Sequence, residues 1–196
     1  MLAINEECYS IQGEGKNVGV PMYFVRLQGC SVGCHFCDTK KSWKKDEQTT
    51  REEDIVRRAT ELEAEWICIT GGEPLEQNLE RLVELAKMEG LCIQIETSGV
   101  HYQECLMKID QITLSPKSLF TKTPLDHQVL EIADELKCVI TKEEDISFYV
   151  KLNTRRNCSK VFQPMSNDPK IAQSIFENLP KGWRIQCQEH TVLKLR

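Results

Sequence analysis

The chain has 196 residues, 40% hydrophobic and 28% charged, a balance that suits one folded domain with a sizeable core. Its formal net charge of −5 argues against nucleic-acid binding as the main business, because such surfaces need a basic excess. No apolar run is long enough to span a bilayer, and the start MLAINEECYS lacks the basic head and apolar centre of an export signal. A cytoplasmic location is therefore expected.

Strand and helix patterns alternate along the chain. Met22 to Leu27 reads as a strand running into a cysteine-rich loop. Thr50 with Glu53 forms a capping-box pattern, after which Ile55, Ala59 and Leu62 recur at helical spacing. Trp66 to Thr70 is a compact apolar run, read as a buried strand. Leu75, Leu79, Leu82 and Ala86 form the next helical stripe, and Gly90 stops it. Leu91 to Ile95 and Gln111 to Leu114 are further strands. Val129, Ala133 and Leu136 mark a helix ahead of a strand from Cys138 to Ile140. Strands are expected at Lys160 to Gln163 and Arg184 to Gln188, with a helix from Ile171 to Leu179 between them. This alternation predicts an α/β fold with a mainly parallel sheet. A closed eight-stranded barrel takes about 250 residues, so a partial, open barrel fits this length better. A doubly wound sheet would give the same alternation. No repeat, low-complexity tract or linker interrupts residues 1–196, which are expected to form a single domain. In either architecture the loops after the strands carry the site.

Three of the ten cysteines, Cys30, Cys34 and Cys37, fall together in GCSVGCHFCDT. Thiolates at that spacing can bind three irons of a 4Fe–4S cubane and leave the fourth iron open. Proteins that only pass electrons usually supply four cysteines. A zinc site completed by a distant residue is the main alternative, with redox or plain buried thiols behind it. No second close cysteine pair follows, and His35 lies inside the loop, a poor place for a fourth ligand. The cysteines within WICIT and LCIQIE read as small buried hydrophobes in a reducing compartment.

With Phe36 ahead of the last cysteine, the triplet resembles that of the radical S-adenosylmethionine enzymes. The resemblance implies an abbreviated, partial TIM-like barrel. It also implies that the methionine part of S-adenosylmethionine chelates the open iron, and that electron injection releases a 5′-deoxyadenosyl radical. The strand at Trp66 to Thr70 runs into Gly71, Gly72, Glu73 and Pro74. Glycines there let a ligand approach the backbone, and a carboxylate can receive an ammonium group. A simple strand-to-helix turn would look the same. In the family this GGEP motif holds the cofactor's amino group. The later strands end in ETSG, SPK and QPMS, a polar rim suited to a nucleoside. The positions matched for S-adenosylmethionine are Phe36, Cys37, Asp38, Gly72, Glu73, Ser98, Ser115, Pro116, Lys117, Gln163, Pro164, Met165 and Ser166.

The segment YSIQGEGKNVGVPMYFVRLQGC narrows the resemblance to the 7-carboxy-7-deazaguanine synthases, and the match continues through CDT, GGEP, ETSG, SPK, QP and IQCQEH. It implies a radical ring contraction of 6-carboxy-5,6,7,8-tetrahydropterin with loss of ammonia, assisted by magnesium. The matched substrate positions are Gln12, Gly13, Glu14, Arg26, Thr70, Gln188 and His190, with the carboxylate of the terminal Arg196. Thr39 matches the magnesium position. Gln12 and Glu14 could read the pterin edge by hydrogen bonding, and the planar fork of Arg26 suits a carboxylate. The family also implies a homodimer. Lys40, Lys41, Lys44 and Lys45 form a basic cluster beside the cysteine loop. They read as a solvated face, or alternatively as a docking patch for an acidic reductant such as flavodoxin. Two rival readings remain at this point: an activating enzyme for a glycyl-radical protein, and a non-catalytic metal-binding module.

Overall fold

The computed structural model describes residues 1–44 and 49–195. Lys45 of the basic cluster and Arg196 lie outside the described residues. The chain opens with a long strand that the sequence pattern did not reveal, β1 (Leu2–Ile11). It is followed by β2 (Pro21–Leu27), β3 (Thr49–Thr50), α1 (Glu52–Glu61), β4 (Trp66–Gly71) and α2 (Glu80–Met88). The second half runs β5 (Cys92–Thr97), β6 (Gln111–Leu114), α3 (His127–Ile132), β7 (Glu135–Ile140) and α4 (Glu144–Tyr149), then β8 (Ser159–Pro164), α5 (Pro169–Glu177), β9 (Arg184–Ile185) and α6 (Glu189–Val192). The strands form one nine-stranded open sheet in the order β3-β1-β2-β4-β5-β6-β7-β8-β9. β1 is antiparallel to both its neighbours, and every pairing from β2 to β9 is parallel. The expected abbreviated, unclosed barrel is therefore present as an open sheet. No helix among the described residues is long and apolar enough to cross a membrane.

The period-two alternation of side chains gives the sheet two different faces. Val25 and Leu27, Ile67 and Ile69, Ile93 and Ile95, Ile112 and Leu114, and Cys138 and Ile140 belong to the apolar core. They pack with Ile55 and Ala59 of α1, Leu82 and Ala86 of α2, Val129 of α3, Tyr149 of α4 and Ile175 of α5. Next to core residues in sequence stand Arg26, Thr70, Glu96, Lys137 and Gln163, which line a cavity on the opposite face. One face is a hydrophobic seam under helices, and the other is polar. Because the strands run parallel, Leu27, Gly71, Thr97, Leu114, Ile140 and Pro164 all end on the same rim.

Four local expectations are corrected. Thr50 does not cap α1: it pairs with Leu2 in the short β3–β1 ladder, and Arg51 is the N-cap with no side-chain bond. The acidic run Glu52, Glu53 and Asp54 sits in the first turn instead, where it complements the helix dipole. Leu75 falls in a separate 3-10 turn, Pro74–Glu76, so the helical stripe begins at Leu79. Leu136 lies in β7 rather than in the preceding helix. There the Asp134 carboxylate accepts from the Ile112 N–H at 2.8 Å, and the Asp134 N–H donates to the Ile112 carbonyl at 3.0 Å, which draws the chain into the sheet three residues early. Finally, β9 covers only Arg184 and Ile185, and Gln188 caps α6.

Candidate active site

The loop after β2 carries the cysteine triplet. Cys30, Cys34 and Cys37 all line the cavity at the rim. The Cys37 N–H donates to the Cys34 carbonyl at 3.0 Å, closing a tight turn. Burial raises the pKa of both Cys30 and Cys34. The backbone N–H groups of Gly33 and Val32 oppose it at Cys30, and Lys117 opposes it at Cys34. Among the described residues no three His, Cys, Asp or Glu groups gather closely enough to hold a single metal ion. The three thiols on this one loop are the groups that would hold a cluster, each as a thiolate.

The glycines of GGEP have a structural role that the sequence did not show. A Cβ on Gly72 would lie 1.8 Å from the Gly29 carbonyl oxygen, and one on Gly71 would lie 2.1 Å from the Leu27 nitrogen. The Gly72 N–H donates to the Leu27 carbonyl, and the Glu73 N–H to the Gly29 carbonyl, each at 2.9 Å. The motif is thus fastened to the base of the cysteine loop. Glu76 reaches the same loop, accepting from the Ser31 N–H at 2.8 Å and its hydroxyl at 2.5 Å. Glu73 is buried, at 2% exposure, yet faces the cavity. Its carboxylate accepts from the Thr97 hydroxyl at 2.5 Å, the Ser98 N–H at 2.8 Å and hydroxyl at 2.5 Å, and the Leu75 N–H at 3.2 Å. The ETSG strand end therefore fixes the GGEP carboxylate in place.

On the far rim, Lys117 donates to the Ser115 hydroxyl at 2.5 Å and sits 5.8 Å above the Phe36 ring. Burial lowers its pKa, while the nearby Cys34 works the other way. Phe36 also packs edge-on against Phe120, centroids 4.7 Å apart, which orders the end of the cysteine loop. Ser166 and Asn167, both with φ 54°, hold the left-handed conformation unusual for residues other than glycine. That turn aims Asn167 at the tail, where its Oδ1 accepts from the Gln188 N–H at 2.9 Å.

The floor is built by the loop after β1, the tail and the inner faces of β5 and β7. Gln12 Nε2 donates to Glu96 at 3.1 Å, and Gln188 Nε2 donates to Glu14 at 2.6 Å. Lys137 ion-pairs with Glu14 and lies 3.6 Å from Glu96. Burial works against ionisation of Glu14, but Lys137 overrides it and brings the pKa down to about 2. The Gly13 carbonyl accepts from the Glu189 N–H at 2.9 Å, joining the loop to the tail. Arg26 stands on β2 beside Thr70 of β4, with Glu6 3.9 Å from its Nε. Thr39 donates to Asp38 at 2.9 Å, and these two put oxygen donors near the cysteines, the kind of ligand magnesium takes.

Of the sequence-derived site residues that are described, all but two line this one cavity. Pro116 and Pro164 do not: the Pro116 carbonyl accepts from the Tyr149 hydroxyl at 3.2 Å, and Pro164 closes the β7–β8 ladder against Ile140. The sequence pattern marks Glu96 only as part of the polar ETSG strand end and gives no role to Lys137, Glu6 or Trp43, all of which line the cavity. Lys137 had one available signal, a charged residue inside the otherwise apolar run LKCVI.

The Radical SAM superfamily profile matches residues 24–137. A 7-carboxy-7-deazaguanine synthase of Flavobacterium psychrophilum is 37% identical over 203 residues, covering 100% of this chain and 93% of that protein. One from Escherichia coli K12 is 33% identical over 219 residues, covering 98% of each. The crystal structure of QueE from Escherichia coli superposes with a TM-score of 0.84 at 32% identity, over 96% of this chain and 94% of that one. Streptococcus suis SuiB, at 15% identity and a TM-score of 0.60, shares the fold over 87% of this chain and 50% of its own. With its cysteine loop, its GGEP anchor and its full-length likeness to these proteins, the chain belongs to the 7-carboxy-7-deazaguanine synthase family of the radical SAM superfamily.

Proposed function

We propose that this chain converts 6-carboxy-5,6,7,8-tetrahydropterin to 7-carboxy-7-deazaguanine with loss of ammonia, a step of queuosine biosynthesis. The observation that carries the reading is a single cavity joining the cysteine triplet at its rim to the charged floor of Gln12, Glu14, Glu96 and Lys137. One cavity lined by both groups supports a radical source and a heterocycle site that share the same space. When bound, the cluster and S-adenosylmethionine supply reversible hydrogen-atom abstraction, so that S-adenosylmethionine is regenerated.

The chain's own residues divide the remaining work. Cys30, Cys34 and Cys37 hold the cluster. Glu73, together with Ser98, Ser115, Lys117 and the Gln163 to Ser166 turn, holds S-adenosylmethionine along the rim. Phe36, Cys37 and Asp38 approach it from the cysteine loop. Gln12, Glu14, Gln188 and His190 orient the pterin edge, Thr70 contacts the ring, and Arg26 receives the 6-carboxylate. Thr39 would supply an oxygen to magnesium, a hard cation that takes oxygen ligands and would offset negative charge at the site. The same reading holds residues 1–196 as one domain, working as a cytoplasmic homodimer. An acidic flavodoxin-like reductant docks beside Lys40, Lys41 and Lys44, which are all exposed.

The test is anaerobic incubation of the reconstituted protein with 6-carboxytetrahydropterin, S-adenosylmethionine, magnesium and a reductant, followed by mass spectrometry. Formation of 7-carboxy-7-deazaguanine and ammonia, with S-adenosylmethionine undepleted, is expected. Cleavage of S-adenosylmethionine without change to the pterin would reject the substrate but keep the radical chemistry. Hydrogen transfer to an added protein instead would favour the activating-enzyme reading.

A further inference from the structure

The charged floor carries two carboxylates and one ammonium, all largely withdrawn from water. Lys137, on the inner face of β7, has 7% of its side chain exposed, against 12% for Glu14 and 18% for Glu96. The two glutamates stand on the loop after β1 and on β5, and Lys137 meets both. We propose that Lys137 sets substrate specificity from behind, gathering Glu14 and Glu96 into a floor that accepts hydrogen bonds and offers almost none. Such a floor selects a ligand edge made of adjacent N–H donors. The amino group and ring N–H of a 2-amino-4-oxo pteridine form such an edge, so this inference rests on the function proposed above.

The side-chain amides around the floor support it. An ionised carboxylate is acceptor-only, so a neighbouring amide must turn its NH2 toward it. Gln12 and Gln188 do so at 3.1 and 2.6 Å, and Gln163 does so toward Glu14 at 3.4 Å. Each amide gives an N–H to a glutamate, with Gln12 also reaching Cys68 Sγ at 3.8 Å and Gln188 reaching Asp38 at 3.5 Å, and their oxygens are left for other partners. Gln12 Oε1 takes the Glu14 N–H at 3.0 Å. Gln163 Oε1 is buried and accepts no hydrogen bond among the described residues. A buried acceptor without a partner is costly, and a donor on the ligand removes that cost.

Without an ammonium between them, two close carboxylates cannot both stay ionised, and one takes up a proton. The protonated group then donates an O–H. Loss of the Lys137 charge is thus expected to reverse the character of the floor, not merely to loosen it. Burial opposes the charge on Glu14, and the pair with Lys137 wins, which agrees with this.

The test compares two stable ligands, pterin-6-carboxylate and its 2-oxo counterpart lumazine-6-carboxylate, titrated into the cluster-loaded enzyme with S-adenosylmethionine. They differ at carbon 2, an amino donor against a carbonyl acceptor, with ring N1 gaining a proton in the lumazine. The wild type is expected to prefer the pterin by about ten- to a hundredfold, the range for leaving one buried polar group unpaired. In Lys137→Met the ratio is expected to fall close to one, while Lys137→Arg, which keeps the charge, retains most of it. A purely structural loss would weaken both ligands together and leave the ratio alone. An unchanged ratio in folded Lys137→Met overturns the inference. If Lys137→Met does not fold, Glu14→Gln serves instead. It places an amide in the floor, and a ratio unchanged from wild type would equally overturn the inference. Absence of product from the wild-type enzyme with 6-carboxytetrahydropterin would reject the proposed function. Turnover by the wild type together with an unaltered ratio in the variants would reject this inference alone.

Discussion

The imidazole of His190 lies directly on Gly13: a Cβ at residue 13 would come within 2.0 Å of its Nδ1. This contact clamps the tail against the loop after β1, and the Glu189 N–H to Gly13 carbonyl bond at 2.9 Å runs beside it. Gly13→Ala is therefore expected to displace His190 at a cost of roughly 1–3 kcal/mol, typical of overpacking. Substrate KM should rise at least several-fold. S-adenosylmethionine cleavage without substrate should persist, because the residues assigned to it lie on other loops. Steady-state kinetics with both readouts decide it; an unchanged KM would mean that the clamp plays no part in substrate binding.

Cluster binding is expected to depend on Cys30, Cys34 and Cys37 individually. Each faces the cavity from the same loop. Cys138 is fully buried and belongs to the apolar core, so it lies on the face away from the site. Alanine at any of the three should abolish the low-temperature EPR signal of the reduced cluster, and Cys138→Ala should leave iron content near wild type. Comparable iron loss in Cys138→Ala would contradict the ligand assignment.

Arg26→Lys keeps a charge but loses the planar fork. With Glu6 3.9 Å behind it, the guanidinium has a partner that helps hold it over the cavity. A shorter reach and a single ammonium should weaken binding of pterin-6-carboxylate by about 1.5–3 kcal/mol, the scale of a charge-assisted bond. Cleavage of S-adenosylmethionine without substrate should be retained. Calorimetric titration is the check, and equal affinity for the two proteins would remove Arg26 from the carboxylate site.

The β1–β2 edge gives a prediction about alkaline stability. The buried Tyr23 donates to Glu7 at 2.6 Å, and Arg58 of α1 forks onto the same carboxylate. Burial first, and Glu7 second, push the tyrosine up to about 12, partly offset by Arg58. An unfolded tyrosine ionises near 10. Between these values the folded protein binds the extra proton, so this contribution is whole below pH 10 and is lost as pH rises toward 12. Tyr23→Phe has no such group. The loss of its bond to Glu7 makes it less stable than wild type at pH 9, and the gap should narrow by on the order of 2 kcal/mol by pH 12. Urea unfolding across that range measures the gap, and a constant difference would show that the proton is not held.

Sequence spacing alone determined the strands that carry the site and the family to which the chain belongs. Runs such as WICIT and LCIQIE, each followed by a polar turn, are local signals, and Cys30, Cys34 and Cys37 sit within one loop. β1 escaped because its burial is intermediate along almost its whole length, so LAINEECYSI shows no clean alternation. The capping box at Thr50 failed because a backbone ladder to Leu2, 48 residues away in sequence, took precedence over a local cap. Tertiary structure alone decided three further things. It showed that the GGEP glycines are needed where the loop crosses Gly29. It showed that Glu73 is fixed by Thr97 and Ser98. It also brought Lys137 between Glu14 and Glu96, residues 123 and 41 positions away along the chain. Such meetings are set by the order and register of parallel strands, which local periodicity cannot encode.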